Sequence, residues 1–374
     1  MHTPIDQCKC DIMSYVLVKG GSEAIKNAQS VVDSLRNAPP VDVSQIKGRL
    51  RLGVDQVMGE GGLYALDLAS VAIKQADGDL IEASFLIRAY RSTLPRIGYS
   101  EISDTGDMFV IRSISSAFKE IPGGQILGPS IDYTTRLLDL KEHVADEKAM
   151  DETDPDFKKV ESDIHKFKKI SDILRVEGLL EDTSGDTSDN EETYNEPFDI
   201  TRESLRFPAP RSARLQALAR GETGAMLALA YSSLRGYGSV HPTIAQLRVG
   251  YVSLRIKHPL TGNDVSIGEV LVTECEGILS GVGSTMVTKE NKFSLGYGLV
   301  FGHNEKKAIS MSILDGTMGV SKPKSPAEDQ EFVLYHIDGI DAMGFVEHLK
   351  LPHYVTFQSS LDRIRALRRE VEDD

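Results

Sequence analysis

Leu247-Arg-Val-Gly-Tyr-Val-Ser-Leu-Arg-Ile-Lys-His258 and Val265-Ser-Ile-Gly-Glu-Val-Leu-Val-Thr-Glu-Cys-Glu276 flank Pro259-Leu-Thr-Gly-Asn-Asp264. Both flanking runs alternate in the two-residue period of a strand, and the Pro, Gly and Asn of the bridge are turn residues. The stretch predicts a β-hairpin. Helical patterns cluster before and after it instead of alternating with strands, which argues for an α+β fold over a doubly wound sheet. The expected architecture is a helical N-terminal region followed by a mixed C-terminal region, an antiparallel sheet with flanking helices.

Towards the N-terminus, SYVLV at 14–18 reads as a short strand entering Gly20-Gly21. Four helices are then predicted. The first runs from Ser22 with Ile25, Ala28, Val32 and Leu35 on one face and stops before Pro39-Pro40. The second takes Ser44 as N-cap, carries Ile46, Leu50, Val54, Val57 and Met58, and ends at Gly59-Glu-Gly-Gly62. The third spans about 63–76, and the fourth takes Asp79 as N-cap and runs to Leu94-Pro95. Caps, 3.6-residue periodicity and Gly or Pro stops agree throughout. A strand at 108–114, a glycine loop at 121–129 and a short helix near 132–138 follow.

Just before the hairpin, 212–234 gives two helices broken at Gly221 and ending in Arg235-Gly-Tyr-Gly238. After it, GYGLVFG at 296–302 is a strand entering a helix at about 304–314, and helices at about 338–349 and 357–370 are separated at Pro352. The expected organisation is a disordered tail at 1–13, a mainly helical domain at 14–140, an acidic linker or insertion at 141–196, and an α+β domain at 197–374.

A net charge of −14 over 374 residues argues against nucleic acid as a partner, yet the charge is unevenly spread. Residues 141–196 hold 18 acidic and 8 basic side chains, so the rest of the chain carries about −4, with arginines near its glycine motifs. No run of 18 apolar residues predicts a membrane span, and the first residues lack the pattern of a secretory signal. Cys8, Cys10 and Cys275 do not make a disulfide framework. A cytoplasmic protein is expected.

No P-loop and no G-x-G-x-x-G occurs. Gly123-Gly124-Gln125, ahead of a predicted helix, could present amides to an anion, or could be ordinary loop punctuation. Gly61-Gly62 reads as a helix C-cap. Arg235 with Tyr237 could hold a phosphate and stack on a base or sugar, while the plainer reading of both Gly-Tyr-Gly tripeptides is a pair of turns. Glu274 and Glu276 share one face of a strand, opposite Cys275, which suits paired carboxylates acting at a sugar C1 and suits a solvated strand end as well. His348-Leu-Lys-Leu-Pro-His353 places two imidazoles about 140° apart on a continuous helix, so they converge only if the chain turns at Pro352. Two ligands are too few for zinc, and others must come from elsewhere in the chain or from a partner.

Collinear strings then carry a resemblance. They are Val18-Lys-Gly-Gly21, Asp55-Gln-Val-Met58 with Glu60-Gly-Gly62, Arg88-Ala-Tyr-Arg91, Ile121-Pro-Gly-Gly-Gln125, Gly128-Pro129 with Asp132-Tyr133, and Asp199-Ile-Thr-Arg202. Ser212 with Arg214-Leu-Gln216, Leu227-Ala-Leu-Ala-Tyr-Ser232, Arg235-Gly-Tyr-Gly238, Thr273-Glu-Cys-Glu276, Gly296–Gly302, Glu331-Phe-Val-Leu334 and His348–Tyr354 complete them. In this order the chain resembles the PhnI family of subunits of the carbon–phosphorus lyase core complex, from about residue 14 to about 370 outside the acidic segment.

The resemblance implies a subunit that, with companions, transfers methylphosphonate to C1 of the ribose of ATP. Adenine is displaced and ribose 1-methylphosphonate 5-triphosphate formed. Alone it implies a nucleosidase acting on ATP or GTP. It further implies a hetero-oligomer that includes an iron–sulfur radical subunit, with Zn2+ held by His348 and His353 at the shared interface. The expected roles are catalytic for Glu274 or Glu276, and substrate-binding for Gly123, Gly124, Gln125, Arg235 and Tyr237. The rival expectations are a non-catalytic scaffold that offers zinc ligands and, from the residues alone, a free-standing nucleotide-binding or metal-dependent hydrolase.

Overall fold

The computed structural model describes residues 21–35, 39–134, 136–138, 167–180, 198–235, 241–280, 292–319 and 323–372. The chain divides into two compact units, Met1–Asp42 and Val43–Asp374. The first contains helix α1 (Gly21–Leu35).

The second unit opens with α2 (Val43–Arg49), α3 (Arg51–Gly61), α4 (Leu66–Gln75) and α5 (Leu80–Thr93). These pack around Ile46, Val54, Val57, Met58, Ile73 and Ile87. Asp79 caps α5 as its sequence position predicts, its Oδ1 accepting from the amides of Ile81 and Glu82 at 2.9 and 3.2 Å. The single helix expected from Ser44 to Met58 is two, broken at Leu50, whose backbone leaves helical geometry.

Strands β1 (Phe109–Ile114), β2 (His241–Lys257), β3 (Asp264–Ser280) and β4 (Ser294–Phe301) form one antiparallel sheet in sequence order. The hairpin is β2 and β3, closed by the turn in which the Gly262 amide donates to the His258 carbonyl. On one side of the sheet, α7 (Arg211–Arg220), α8 (Thr223–Leu234), α9 (Glu305–Thr317) and α10 (Gln330–His336) enclose the largest core, which includes Leu218, Met226, Leu247, Cys275, Met311 and Leu314. Helices α11 (Gly339–Glu347) and α12 (Tyr354–Glu372) follow. The fold is α+β, as expected. Among the described residues no helix is long and apolar enough to cross a membrane.

Three expectations are corrected here. The boundary after residue 140 does not separate two cores, because β1 pairs with β2, Phe109 opposite Tyr251 and Ile114 opposite Leu247. Secondly, the acidic segment is not all linker. Its residues 170–176 form α6 (Ile170–Val176), with Ile170, Leu174 and Leu180 buried against Ile121, Ala245 and Ile278. The 3.6-residue spacing of Ile170, Ile173 and Leu174 was masked by surrounding charge. Thirdly, the helix expected near 132–138 is a turn over the described residues 131–134, with Asp132 drawn instead into a 2.6 Å ion pair with buried Arg112.

Candidate active site

The sheet face opposite α9 carries a ladder of charged side chains. Alternation along β3 sends Cys275 toward α9, where its Sγ lies 3.4 Å from Ser312 Oγ, and turns Glu274 and Glu276 the other way. Cross-strand register sets Arg248 opposite Glu274, and Gln246 and Tyr297 on either side of Glu276. Lys169 reaches the same spot from the residue preceding α6. A cavity of about 390 Å³ opens there, lined by Asp104, Lys169, Arg175, Arg211, Glu276 and Tyr297 among others.

Glu274 is saturated. Its Oε1 accepts from Thr105 Oγ1 at 2.6 Å, Lys169 Nζ at 2.8 Å and Tyr297 OH at 2.9 Å. Its Oε2 accepts from Arg248 Nε at 2.8 Å and from Arg248 Nη2. Burial alone would raise its pKa, but the charges of Arg248 and Lys169 and the bonds from Lys169 and Thr105 outweigh it and hold the carboxyl at about 2. Tyr297 moves upward, because burial and the Glu274 charge both disfavour a phenolate.

Glu276 is the opposite case. It is as deeply buried, its Oε1 lies 3.6 Å from Lys169 Nζ, and its Oε2 has no hydrogen-bond partner. Burial first, and then the neighbouring Glu274 charge, raise its pKa. Two carboxyls on one face therefore differ in proton affinity, lowered at Glu274 and raised at Glu276, and Glu276 lines the cavity. Environments that push two carboxyl pKa values apart divide the roles of charge stabiliser and proton carrier. Arg211 is aimed into the same cavity by Asp315, which accepts from its Nε and Nη2 at 3.2 and 2.6 Å and also from the Tyr297 amide at 3.0 Å.

Of the expected substrate-binding residues, Gly123, Gly124, Gln125 and Arg235 do not line this cavity. Gly123 and Gly124 form a tight turn with φ of +79° and +77°, and the Gly124 amide is spent on the Ile121 carbonyl at 2.9 Å. Gln125 braces the loop, accepting from the Ser115 amide at 2.9 Å and donating to the Phe118 carbonyl at 3.0 Å. Arg235 ends α8 in an exposed position, donating to Tyr231 OH at 3.0 Å, and Tyr237 lies outside the described residues.

The second Gly-Tyr-Gly is not a turn. It sits inside β4, where Tyr297 faces the carboxylates and both glycines face α9. A Cβ at Gly296 would fall 1.8 Å from the Ser312 carbonyl, and one at Gly298 would fall 2.2 Å from that of Ala308. Gly296→Ala is accordingly expected to cost roughly 3 kcal/mol through overpacking, read as a lowered denaturation midpoint; a neutral effect would contradict this packing.

His348 and His353 do converge. Helix α11 ends at Glu347, one 3-10 turn covers His348–Lys350, and the break before α12 brings the rings to 5.4 Å between centroids. Each Nδ1 faces a backbone carbonyl, that of Phe345 for His348 and that of Leu351, at 2.6 Å, for His353. A carbonyl only accepts, so both Nδ1 atoms carry the proton and both Nε2 lone pairs remain for a ligand. Among the described residues no group of three His, Cys, Asp or Glu side chains that could hold a metal ion forms, so the described residues do not by themselves complete a zinc site.

Thr105, Lys169, Arg211, Arg248 and Asp315 escaped sequence reading. Only Arg248 left a signal, as a basic residue on the polar face of a strand paired with that of Glu274. Lys169 was hidden in an acidic segment, and Arg211 and Asp315 lie 104 residues apart.

The chain is 49% identical over 371 residues to HtxH of Stutzerimonas stutzeri, covering 94% of this chain and 95% of that protein. It is 46% identical over 367 residues to the alpha-D-ribose 1-methylphosphonate 5-triphosphate synthase subunit PhnI of Rhizobium meliloti (strain 1021), covering 95% of each. With the subunit of the same name from Escherichia coli (strain K12) it shares 42% over 369 residues, 95% of this chain and 99% of that protein. A family profile described as bacterial phosphonate metabolism protein (PhnI) matches residues 14–371, and with these identities over nearly the whole length, the chain belongs to the PhnI family.

Proposed function

We propose that the protein is a subunit of a carbon–phosphorus lyase complex in phosphonate catabolism, and that the Glu274–Glu276 cavity is where methylphosphonate replaces adenine on the ribose of ATP. The observation that carries this reading is the buried Glu276, its Oε2 unpartnered and its pKa raised by burial and the Glu274 charge, in a cavity that also presents Lys169, Arg175 and Arg211. A phosphonate oxygen forms a bond to ribose C1 as the C1–N bond to the purine breaks. Glu276 gives its proton to the departing base and is reprotonated from the phosphonate hydroxyl or from water. Lys169 and Arg211 hold anionic oxygens, and Glu274 keeps Lys169 and Tyr297 in place while opposing positive charge that develops on the sugar. Water in place of the phosphonate gives the nucleosidase reaction on ATP or GTP.

His348 and His353 would present their Nε2 atoms to Zn2+, with the remaining ligands from a companion subunit, the iron–sulfur radical subunit being the expected one. Zinc bound there supplies a Lewis-acidic, oxygen-polarising centre. The cytoplasm is the proposed location.

The deciding experiment incubates the chain, alone and with its companion subunits, with ATP and methylphosphonate, and follows free adenine. Adenine release with incorporation of methylphosphonate is expected from the assembled subunits. No adenine from either mixture leaves the scaffold reading in its place. His348→Ala is expected to lower the zinc content of the assembled complex to background by elemental analysis, and unchanged zinc removes the metal assignment.

A further inference from the structure

A second group of cations stands apart from the cavity. Arg88 and Arg91 lie one turn apart on α5, and Arg220 is the last residue of α7. Arg211, which lines the cavity, is the first residue of α7, so the two ends of that helix stand about 14 Å apart at 1.5 Å per residue. Gly62, the C-cap of α3 with φ +68°, is where the arginines meet. A Cβ there would fall 2.6 Å from Arg91 Nη1 and 3.7 Å from Arg220 Cδ. The sequence explains Gly62 as a helix cap, whereas the structure shows that it also lets a guanidinium lie against the backbone.

The three arginines are unequally satisfied. Arg88 Nη1 donates to both oxygens of Asp338 at 3.0 and 2.7 Å, and its Nη2 donates to the Glu60 carbonyl at 2.9 Å. Arg91 has a long 3.4 Å bond to the Gly62 carbonyl, and Arg220 Nε is buried with no hydrogen-bond partner. No carboxylate of the described residues lies within ion-pair range of Arg91 or Arg220. The acids nearby are committed elsewhere. Asp338 caps α11, Glu222 caps α8, and Glu60 Oε1 accepts from the amide and hydroxyl of Thr223 at 3.0 and 2.9 Å. Asp341 faces Asp338, Arg88 and Arg220 and retains its proton more readily than usual, through burial and the Asp338 charge. Burial and mutual repulsion press on the cations in turn: Arg220 falls to about 10 through desolvation, Arg88 and Arg91.

We propose that Arg91 and Arg220, with Arg88 behind them, form a binding site for a tetrahedral phosphoryl or phosphonyl anion, separate from the Glu276 cavity. Two half-buried guanidinium forks lacking a carboxylate offer several N–H donors to one group. A dianion with three terminal oxygens accepts them and offsets the repulsion. Such a group arrives either on a nucleotide polyphosphate or on a free phosphate or phosphonate.

The test titrates phosphate, methylphosphonate and tripolyphosphate calorimetrically into the full-length chain carrying Arg211→Gln, which removes a cavity cation. Binding is expected, and Arg91→Gln with Arg220→Gln should weaken it roughly tenfold or more. Preference for tripolyphosphate identifies a nucleotide as the source, and comparable binding of the three identifies a free anion. Absence of binding, or binding unaffected by the two substitutions, overturns the site. Arginine modification by phenylglyoxal in the unaltered chain, mapped by mass spectrometry, avoids any folding defect of the variants. Tripolyphosphate should protect Arg91 and Arg220, and equal labelling with and without it overturns the proposal.

Discussion

Glu276→Gln is expected to lower adenine release by at least ~10²-fold while leaving the protein folded, because general acid–base groups contribute on the order of 10²–10⁴. Gln keeps the shape of the carboxyl and removes its transferable proton. Glu276 Oε2 has no partner and its Oε1 stands 3.6 Å from Lys169, so few native bonds are lost. Burial and the Glu274 charge raise the Glu276 pKa, so the proton-donating form persists above the usual carboxylate range, and activity should decline as pH rises through the raised value. Steady-state rates across pH check this. Near-wild-type turnover for Glu276→Gln, or an unchanged pH profile, would remove Glu276 from the chemistry.

Arg248→Met is the largest stability effect anticipated. Glu274 is 1% exposed and accepts both Nε and Nη2 of Arg248 on one oxygen. Removing one partner of a buried pair leaves an uncompensated charge, at a cost of roughly 3–5 kcal/mol. Chemical denaturation measures it, and a loss below ~1 kcal/mol would show that Lys169, Thr105 and Tyr297 suffice to hold the carboxylate.

The pH dependence has a definite sign. Glu274 is held at about 2 against an ordinary 4.5, so its contribution is complete above 4.5 and is lost as pH falls toward 2. Glu276 is shifted upward, so its contribution is complete below the ordinary value and is lost as pH rises through the raised one. Arg248→Met should therefore flatten the acid limb of stability and, because the Arg248 charge also lowers the Glu276 pKa, move the Glu276 limb to higher pH.

The elements were legible where local chemistry dictates them. Asp79 as a cap, Gly221 as a break between helices and the Pro259–Asp264 turn each follow from a few adjacent residues. So does the common face of Glu274 and Glu276, a consequence of the two-residue strand period. Partners were not legible. Gly123-Gly124-Gln125 looks like an anion loop until Gln125 is seen bracing residues 115–119, and Lys169 looks like linker until its ammonium is seen on Glu274.

The sequence by itself determined the α+β class, the hairpin at its centre, the pairing of two carboxylates on one face and the requirement that the chain turn between His348 and His353. Those properties depend on backbone periodicity and on Gly, Pro and capping residues acting within a few positions. Tertiary structure decided which carboxyl has its pKa lowered and which has it raised, since that depends on charges brought from residues 169 and 248, on hydrogen bonds from residues 105 and 297, and on burial that no local pattern encodes. It also gave the glycines of Gly296-Tyr-Gly298, in the strand expected at 296–302, their role as the surface that lets α9 pack closely. Close approach of a helix to a strand is a property of two distant segments together.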